Sequence, residues 1–326
     1  MSVRVLVTGA GGFIGSHLVE QLVLEGYTVR AYTHYNAANN WYNLEQLPRA
    51  ILDSAEIVAG DIGDSYSVDR AVQGCEIVYH LAALIGIPYS YIAPAAYVST
   101  NIIGTLNVLQ ACRRHGVRRL IHTSTSEVYG TAQYVPIDEL HPIVGQSPYS
   151  ATKIAADKLV ESFWNSFDLP ACIIRPFNTY GPRQSARAII PTIITQALSG
   201  KKLKLGNLDP VRDLTFAVDT AHGFIAASKA PAVLGEVVNL GTGEGFSVYE
   251  VVQHIMTLLG KEIAIEEDQS RIRPAKSEVM RLISNNTKAT TLMDWSPRFD
   301  LKTGLQMTIE YMQNHLSDYK HTIYNI

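Results

Sequence analysis

Val5-Leu-Val-Thr-Gly9-Ala-Gly-Gly12-Phe-Ile-Gly15-Ser-His-Leu18 reads as a strand, a glycine turn and the start of a helix, with glycines at the spacing G-x-x-G-x-x-G. Glycine lets the backbone turn tightly and approach a ligand closely, while a helix N-terminus supplies amide donors and a positive dipole end. At the first strand–helix junction of an alternating chain, such a turn points to the pyrophosphate of a dinucleotide. Gly9, Gly12, Phe13, Ile14 and Gly15 are the first candidate cofactor contacts.

Outward from this stretch the alternation continues. Val3–Val7, Thr28–Tyr32, Glu56–Ala59, Ile77–Leu81, Arg119–Thr123 and Ala171–Arg175 are short apolar or β-branched runs, and amphipathic segments fill the gaps. Apolar strands separated by helices predict a parallel sheet covered on both faces. The expected fold is α/β, a Rossmann-type doubly wound parallel sheet with a smaller C-terminal substrate-binding domain. After Pro176 the pattern loosens, with isolated helices at Ser247–Leu259 and Leu301–His315. Leu214–Ala227 and Val237–Leu240 are apolar enough to return to the main sheet. The expected division is therefore 1–176 with 212–242 for the dinucleotide, and 177–211 with 243–326 for the substrate.

The 326 residues carry a net charge of −3 with scattered Lys and Arg, which gives no field to attract nucleic acid or an anionic membrane. Cys75, Cys112 and Cys172 are far apart and lack a C-x-x-C pair, which argues against a disulfide framework or a zinc site and fits a reducing cytoplasm. No metal is expected. No apolar run approaches the roughly 18 residues of a membrane span.

At the end of the second predicted strand the usual ribose-binding acid is missing from Arg30-Ala-Tyr-Thr-His34-Tyr-Asn36. No arginine pair follows to hold a 2′-phosphate, so NAD is favoured over NADP, which stays open, and Asn36 is a candidate ribose contact. Asp61 and Ile62 follow the third strand, where Asp61 is set either to meet the adenine amine or to cap a turn. Leu81, Ala82 and Ala83 follow the fourth, where small side chains let a cofactor lie flat. His80 just before them reads as a packed strand residue.

Tyr149-Ser-Ala-Thr-Lys153 puts a phenol and an ammonium on one helical face, where the cation can hold the phenol ionised as a general base. Upstream, His122-Thr-Ser-Thr-Ser-Glu-Val-Tyr-Gly130 contains Thr125-Ser126-Glu127. Glu127 is a second base, which a simple dehydrogenase does not need.

The glycine turn, Asp61, Tyr149 with Lys153, Arg175-Pro-Phe-Asn-Thr-Tyr-Gly-Pro-Arg183 and Arg212-Asp-Leu-Thr-Phe216, in this order, resemble the extended short-chain dehydrogenase/reductases that modify nucleotide sugars. Within that family, Thr-Ser-Glu resembles the 4,6-dehydratases, whereas 4-epimerases usually carry a small residue in place of Glu127. The longer run Thr123–Asp138, with Gln184–Thr192, is similar to bacterial NAD-dependent 4,6-dehydratases of nonulosonic (legionaminic) acid pathways, which implies an NDP-N-acetylglucosamine substrate.

The resemblance implies a mechanism. Tyr149, aided by Lys153 and Thr125, takes the proton of the sugar 4-hydroxyl as hydride leaves carbon 4. Glu127 then removes the carbon 5 proton while the 6-hydroxyl departs, and hydride returns to carbon 6. Ser126 stands where dehydratases of the Thr-Asp-Glu type carry an acid, so protonated Glu127 or a water on Ser126 must assist the departing hydroxyl. Thr123 and Pro176 join the expected cofactor contacts. Phosphate or sugar contacts are expected from Asn178, Arg187, Arg212, Arg273 and Ile85. Helices around Ala93–His115 and Pro148–Phe167 correspond to those that relatives pack as a four-helix bundle in a homodimer. Three other readings stay open: a UDP-glucuronate decarboxylase, since such enzymes share Thr-Ser-Glu-Val-Tyr-Gly, a 4-epimerase, and a non-enzymatic NAD-binding redox sensor.

Overall fold

The computed structural model describes residues 2–200, 202–271 and 278–320. Six strands follow the expected runs: β1 (Arg4–Thr8), β2 (Thr28–His34), β3 (Glu56–Gly60), β4 (Ile77–His80), β5 (Arg119–Thr123) and β6 (Ala171–Pro176). With Val237–Leu240 they form one parallel sheet in the order Val237–Leu240, β6, β5, β4, β1, β2, β3.

Side chains alternate between the faces of this sheet. Val5, Val7, Val29 and Ala31 pack against Leu18 and Leu22 of the helix Phe13–Leu24 and Phe224 of the helix Ala217–Lys229. Leu6, Tyr32 and Val78 turn the other way, onto Leu109, Cys112 and Phe163 of the helices Gly104–Arg114 and Pro148–Phe167. Each large side chain so buried contributes about 1.5–3 kcal/mol.

The stretch Leu214–Ala227 returns to the sheet differently from the expectation. Leu214–Phe216 pairs with Asn178–Tyr180 outside the main sheet, and Ala217–Lys229 lies across the sheet's face as a helix. The physical reason is its period: Ala217, Ala221, Phe224, Ile225 and Ser228 are buried at helical spacing. The segment expected as one helix over Ala93–His115 starts at Pro94 and widens into a π-helical turn at Val98–Ile103 before Gly104–Arg114.

A third core lies beyond the sheet. Ile190, Ile193 and Ile194 of the helix Ile189–Ser199, Val251 and Ile255 of Val248–Leu259, and Leu305 and Ile309 of Leu301–Asn314 surround Leu203, Leu205 and Phe216. Ser247 and Glu250 close a capping box at the start of the second of these helices, and Asp300 caps the third.

Chain winding reverses between β1 and β4, so the crevice opens outside the carboxyl ends of these strands. The glycine turn follows β1, Asp61 β3, Leu81–Ala83 β4, Thr125–Glu127 β5 and Asn178 β6. These five segments therefore meet along one edge.

Candidate active site

Gly9 sits at φ +69°, and a Cβ there would lie 2.8 Å from the Ala82 amide nitrogen, so only glycine lets the turn close on Leu81–Ala83. A Cβ on Gly15 would stand 2.2 Å from the Gly9 carbonyl oxygen, so the third glycine allows the helix to seat against the turn. Gly12 is exposed at the helix N-terminus, and Phe13 and Ile14 follow half-buried. This cradle fits a pyrophosphate: open amides, a helix dipole and no side chain in the way.

The two sides of the crevice are tied together below it. The Thr8 hydroxyl accepts from the Leu81 and Ala82 amides, each at 3.1 Å, and meets His80 Nδ1 at 2.8 Å. His80 Nε2 lies 3.0 Å from the Thr105 hydroxyl, which donates to the Asn101 carbonyl. Both His80 nitrogens are satisfied, and burial pushes its pKa well down, so it is the packed, neutral residue its sequence position suggests.

At the far end of the crevice, Asp61 caps a turn. Its Oδ1 accepts from the Gly63 amide at 2.8 Å as a turn cap, while Oδ2 stays exposed, 3.8 Å from His34 Nε2. Ile62 is buried against Gly104, and its carbonyl accepts from Asn107. Asn36 folds onto its own loop, donating to the Asn40 carbonyl and accepting from the Ala38 amide.

The catalytic candidates come from two elements. Ser147 and Pro148 start the helix Pro148–Phe167 through a capping box with Ser150, which sets Tyr149, Lys153 and Asp157 on one face at spacings of four. After β5, the Thr125 hydroxyl caps a single 3-10 turn by accepting from the Glu127 amide at 3.2 Å. Thr125 also hydrogen-bonds the Tyr149 phenol, and the Glu127 carboxylate lies close enough for its charge to act on that phenol. Thr125, Glu127 and Tyr149 thus share one site, while Ser126 beside them is buried.

The surroundings of Tyr149 work against ionisation of its phenol. Burial pushes the Tyr149 pKa up, and the Glu127 charge adds to the rise against the opposing Thr125 hydrogen bond. The Lys153 ammonium donates instead to the Thr123 carbonyl, at 2.5 Å. Burial pushes the Lys153 pKa down to about 8, opposed by the charge of Asp157.

Asp157 anchors a buried network behind this face. Its Oδ2 accepts from Ser124 at 2.8 Å and from Arg175 Nη2 at 3.0 Å, and Arg175 Nη1 donates to the Tyr129 hydroxyl, which donates to Asn239. His122 Nε2 stands 3.5 Å from Asp157 Oδ1, and burial pushes its pKa down to about 4. Asn101, inside the π-helical turn, brackets Leu84 through both its amide and its carbonyl and donates to Thr152.

The substrate candidates spread over the same edge. Ile85 is largely exposed at the mouth, and Tyr97, buried beneath it, stacks edge-on to Tyr149 with ring centroids 6.3 Å apart. A Cβ on Gly86 would lie 3.4 Å from Arg187 Nη1, and the Tyr97 hydroxyl donates to the Gly86 carbonyl, so Arg187 stands beside this pair. Arg212 lies on a short strand, 3.5 Å from Glu278, next to Asp213, whose carboxylate accepts from Thr242, Gly243 and Ser284. Pro176 ends β6, fully packed. Phe177 turns inward onto Val128, Tyr129 and Leu282. Arg273 lies outside the described residues. Thr123 Oγ1 and Asn178 Oδ1, at the carboxyl edge, are buried without a partner among the described residues, as groups awaiting a ligand would be.

Comparison with known proteins agrees with this layout. A family profile described as GDP-mannose 4,6 dehydratase matches residues 6–308. The chain is 32% identical over 318 residues to a UDP-glucose 4-epimerase of Mycolicibacterium smegmatis, covering 95% of this chain and 99% of that one. It is also 32% identical over 328 residues to a dTDP-glucose 4,6-dehydratase of Xanthomonas campestris pv. campestris, covering 94% and 92%. Among solved structures, a Bacillus cereus UDP-glucuronic acid 4-epimerase, determined with a fluorinated UDP-glucuronic acid and NAD, superposes with a TM-score of 0.88 at 30% identity, covering 96% of this chain and 100% of that one. The seven-stranded sheet, the glycine cradle and the Thr125–Glu127–Tyr149–Lys153 cluster are thus those of a chain that belongs to the GDP-mannose 4,6 dehydratase family of the NAD-dependent epimerase/dehydratases, within the short-chain dehydrogenase/reductases.

Proposed function

We propose that this protein is an NAD-dependent nucleotide-sugar 4,6-dehydratase acting on an NDP-hexose, with NDP-N-acetylglucosamine as the favoured substrate. The observation that carries the reading is Glu127, a carboxylate in the same site as Tyr149 and Thr125. A 4-epimerase needs one base at the 4-hydroxyl, whereas elimination needs a second at carbon 5.

When bound in the glycine cradle, NAD supplies a hydride acceptor for carbon 4 and later a hydride donor for carbon 6. Tyr149 accepts the 4-hydroxyl proton, helped by the Thr125 hydroxyl and by the positive charge of Lys153. The 4-ketone acidifies the carbon 5 proton, which the Glu127 carboxylate removes. Glu127, then protonated, is the nearest acid for the departing 6-hydroxyl, since Ser126 is buried and has no acidic proton to give. Arg187 and Arg212 supply charge for the diphosphate or sugar, and Asn178 a polar edge beside them.

A second reading rests on Arg187. A guanidinium beside Gly86 and Tyr97 would also suit the carboxylate of an NDP-hexuronate, which would turn the same ketone towards decarboxylation or 4-epimerisation. The partner proposed with the dehydratase is a second copy of this chain. Val98, Ile103 and Phe167, on the two helical segments expected in a four-helix bundle, are all exposed.

The test uses Glu127→Gln in deuterated water. The variant should still exchange hydride at carbon 4 but place no deuterium at carbon 5 and release no 6-deoxy product. Full deuterium incorporation at carbon 5 would remove Glu127 from the role of base.

A further inference from the structure

Arg183 holds a left-handed backbone without the freedom of glycine. Its φ is +68°, a conformation disfavoured for any residue with a Cβ, which persists only where the surroundings over-determine it. The side chain is buried against the helix Phe13–Leu24, behind the glycine turn. Nη2 lies 2.6 Å from His17 Nδ1 and 2.6 Å from Glu20 Oε2, and His17 Nε2 lies 2.9 Å from the Pro182 carbonyl oxygen. A neutral imidazole with its proton on Nε2 meets both neighbours at once. Burial and the Arg183 charge keep it neutral, with the His17 pKa pushed down to about 3. His17 also packs edge-on to Phe13 in the first turn of the helix, with ring centroids 5.7 Å apart.

A second tie runs through the main chain. The Asn43 backbone amide donates to the Gly11 carbonyl at 3.1 Å, and its side-chain amide donates to the Arg183 carbonyl, also at 3.1 Å. The segment 184–188 leaves from this anchored residue. Its far end is held by Thr192 of the helix Ile189–Ser199, whose hydroxyl donates to the carbonyls of Ala186 and Ala188 at 3.0 and 2.8 Å. Arg187 stands between the two anchors. It is exposed, and among the described residues its side chain hydrogen-bonds only the Ser185 hydroxyl of its own loop, at 3.3 Å. Its place beside Gly86 and Tyr97, the ring that meets Tyr149, is therefore set by the backbone that Arg183 starts.

We propose that Arg183 is a positioning residue for the nucleotide sugar: clamped by His17, Glu20 and Asn43, it fixes the base of the arm that carries Arg187 to the body of the cofactor cradle, and so holds the Arg187 guanidinium at the mouth of the site. The assignment rests on the nucleotide-sugar reading given above, in which Arg187 meets the substrate. Arg183 itself touches neither ligand and acts through Arg187. A lysine in its place keeps the charge opposite Glu20 but lacks the planar fork that reaches His17 and Glu20 together.

The test is a double-mutant cycle on the NAD-loaded full chain, read by calorimetric titration with UDP-, GDP- and dTDP-linked glucose and N-acetylglucosamine, and by titration of each variant with NAD alone. For the sugar that the parent binds most tightly, Arg187→Ala should cost about 10-fold in affinity, the size of one charge-assisted hydrogen bond, and Arg183→Gln about the same. The double variant should bind no worse than Arg187→Ala alone, because both changes remove one interaction, and NAD affinity should stay within about 2-fold of the parent. Losses that multiply to about 100-fold, no loss with Arg187→Ala, or an equal loss of NAD affinity with Arg183→Gln would overturn the assignment. If Arg183→Gln does not fold, the same cycle with Arg183→Lys decides by the same criteria. A chain that shows this non-additivity but forms no 6-deoxy sugar keeps the positioning role and loses the dehydratase reading; a chain that binds NAD but none of the sugars loses both.

Discussion

Lys153 donates its ammonium to the main-chain carbonyl of Thr123, the last residue of β5, and so ties the catalytic helix to the edge of the sheet. The cation is anchored before any ligand arrives. It sits in a buried pocket that favours losing its proton, and Asp157 one turn further on favours keeping it.

The pH dependence of kcat/KM follows from these two groups. Tyr149 must be deprotonated to act, and burial raises its pKa, so activity climbs with pH on the acid side. Lys153 must be protonated, and its pKa is pushed down to about 8, below that of the phenol, so the climb levels off as pH rises through about 8. A pH–rate profile of the purified enzyme checks this, and a rate still rising well above pH 9 would contradict it.

The same lysine has a consequence for stability. Its pKa is lower in the folded state than in the unfolded chain, so between about 8 and its ordinary value the unfolded state binds more protons. Lys153 should therefore destabilise the fold fully below pH 8, and the penalty should fade as pH rises above it. Lys153→Met removes the penalty: its melting temperature relative to the parent should be raised near pH 7, by a margin that shrinks towards pH 10.

Asp157→Asn should move the levelling-off of the rate profile to lower pH, because the aspartate charge is what raises the Lys153 pKa. It also strips Arg175 of its buried counter-charge, a change that costs about 3–5 kcal/mol. A denaturant titration gives the second effect, and the pH profile separates it from the first.

Thr125→Val removes the hydroxyl that both caps the Ser126–Tyr129 turn and bonds the phenol. Activity should fall roughly 10-fold or more at pH 7 and by a similar factor up to about pH 9, since the lost bond raises a Tyr149 pKa that already lies above this range. Tyr149→Phe should cost about 100-fold to 10,000-fold at every pH. Steady-state rates across pH distinguish the two patterns.

Gly9→Ala forces a Cβ into a position at φ +69° that lies 2.8 Å from Ala82. The strain is of order 1–3 kcal/mol and would open the turn away from β4, so both the melting temperature and NAD affinity should fall. Retention of full NAD affinity would contradict the cradle geometry.

Much of this site is legible in the sequence because its spacing is local. Apolar alternation marks β1 to β6, the glycine spacing marks the turn, and four residues between Tyr149 and Lys153 mark a shared helical face. Groups whose meaning depends on distant partners are not. Asp157 is an ordinary helix residue until Ser124 and Arg175 close on it. Asn101 gains its role from a widened helical turn that carries no motif. Spacing shows the cation nearest the phenol but not the burial that opposes its ionisation. Leu214–Ala227 has the apolar content of a strand, but its helical period decides its fate.

The most direct test of the central claim is proton NMR of the purified protein with NAD and a panel of UDP-, GDP- and dTDP-linked glucose and N-acetylglucosamine, with UDP-glucuronate beside them. The account predicts a new carbon 6 methyl doublet with one hexose donor, and none in Glu127→Gln. A 4-epimer without a methyl signal, or carbon dioxide released from the glucuronate, would contradict it.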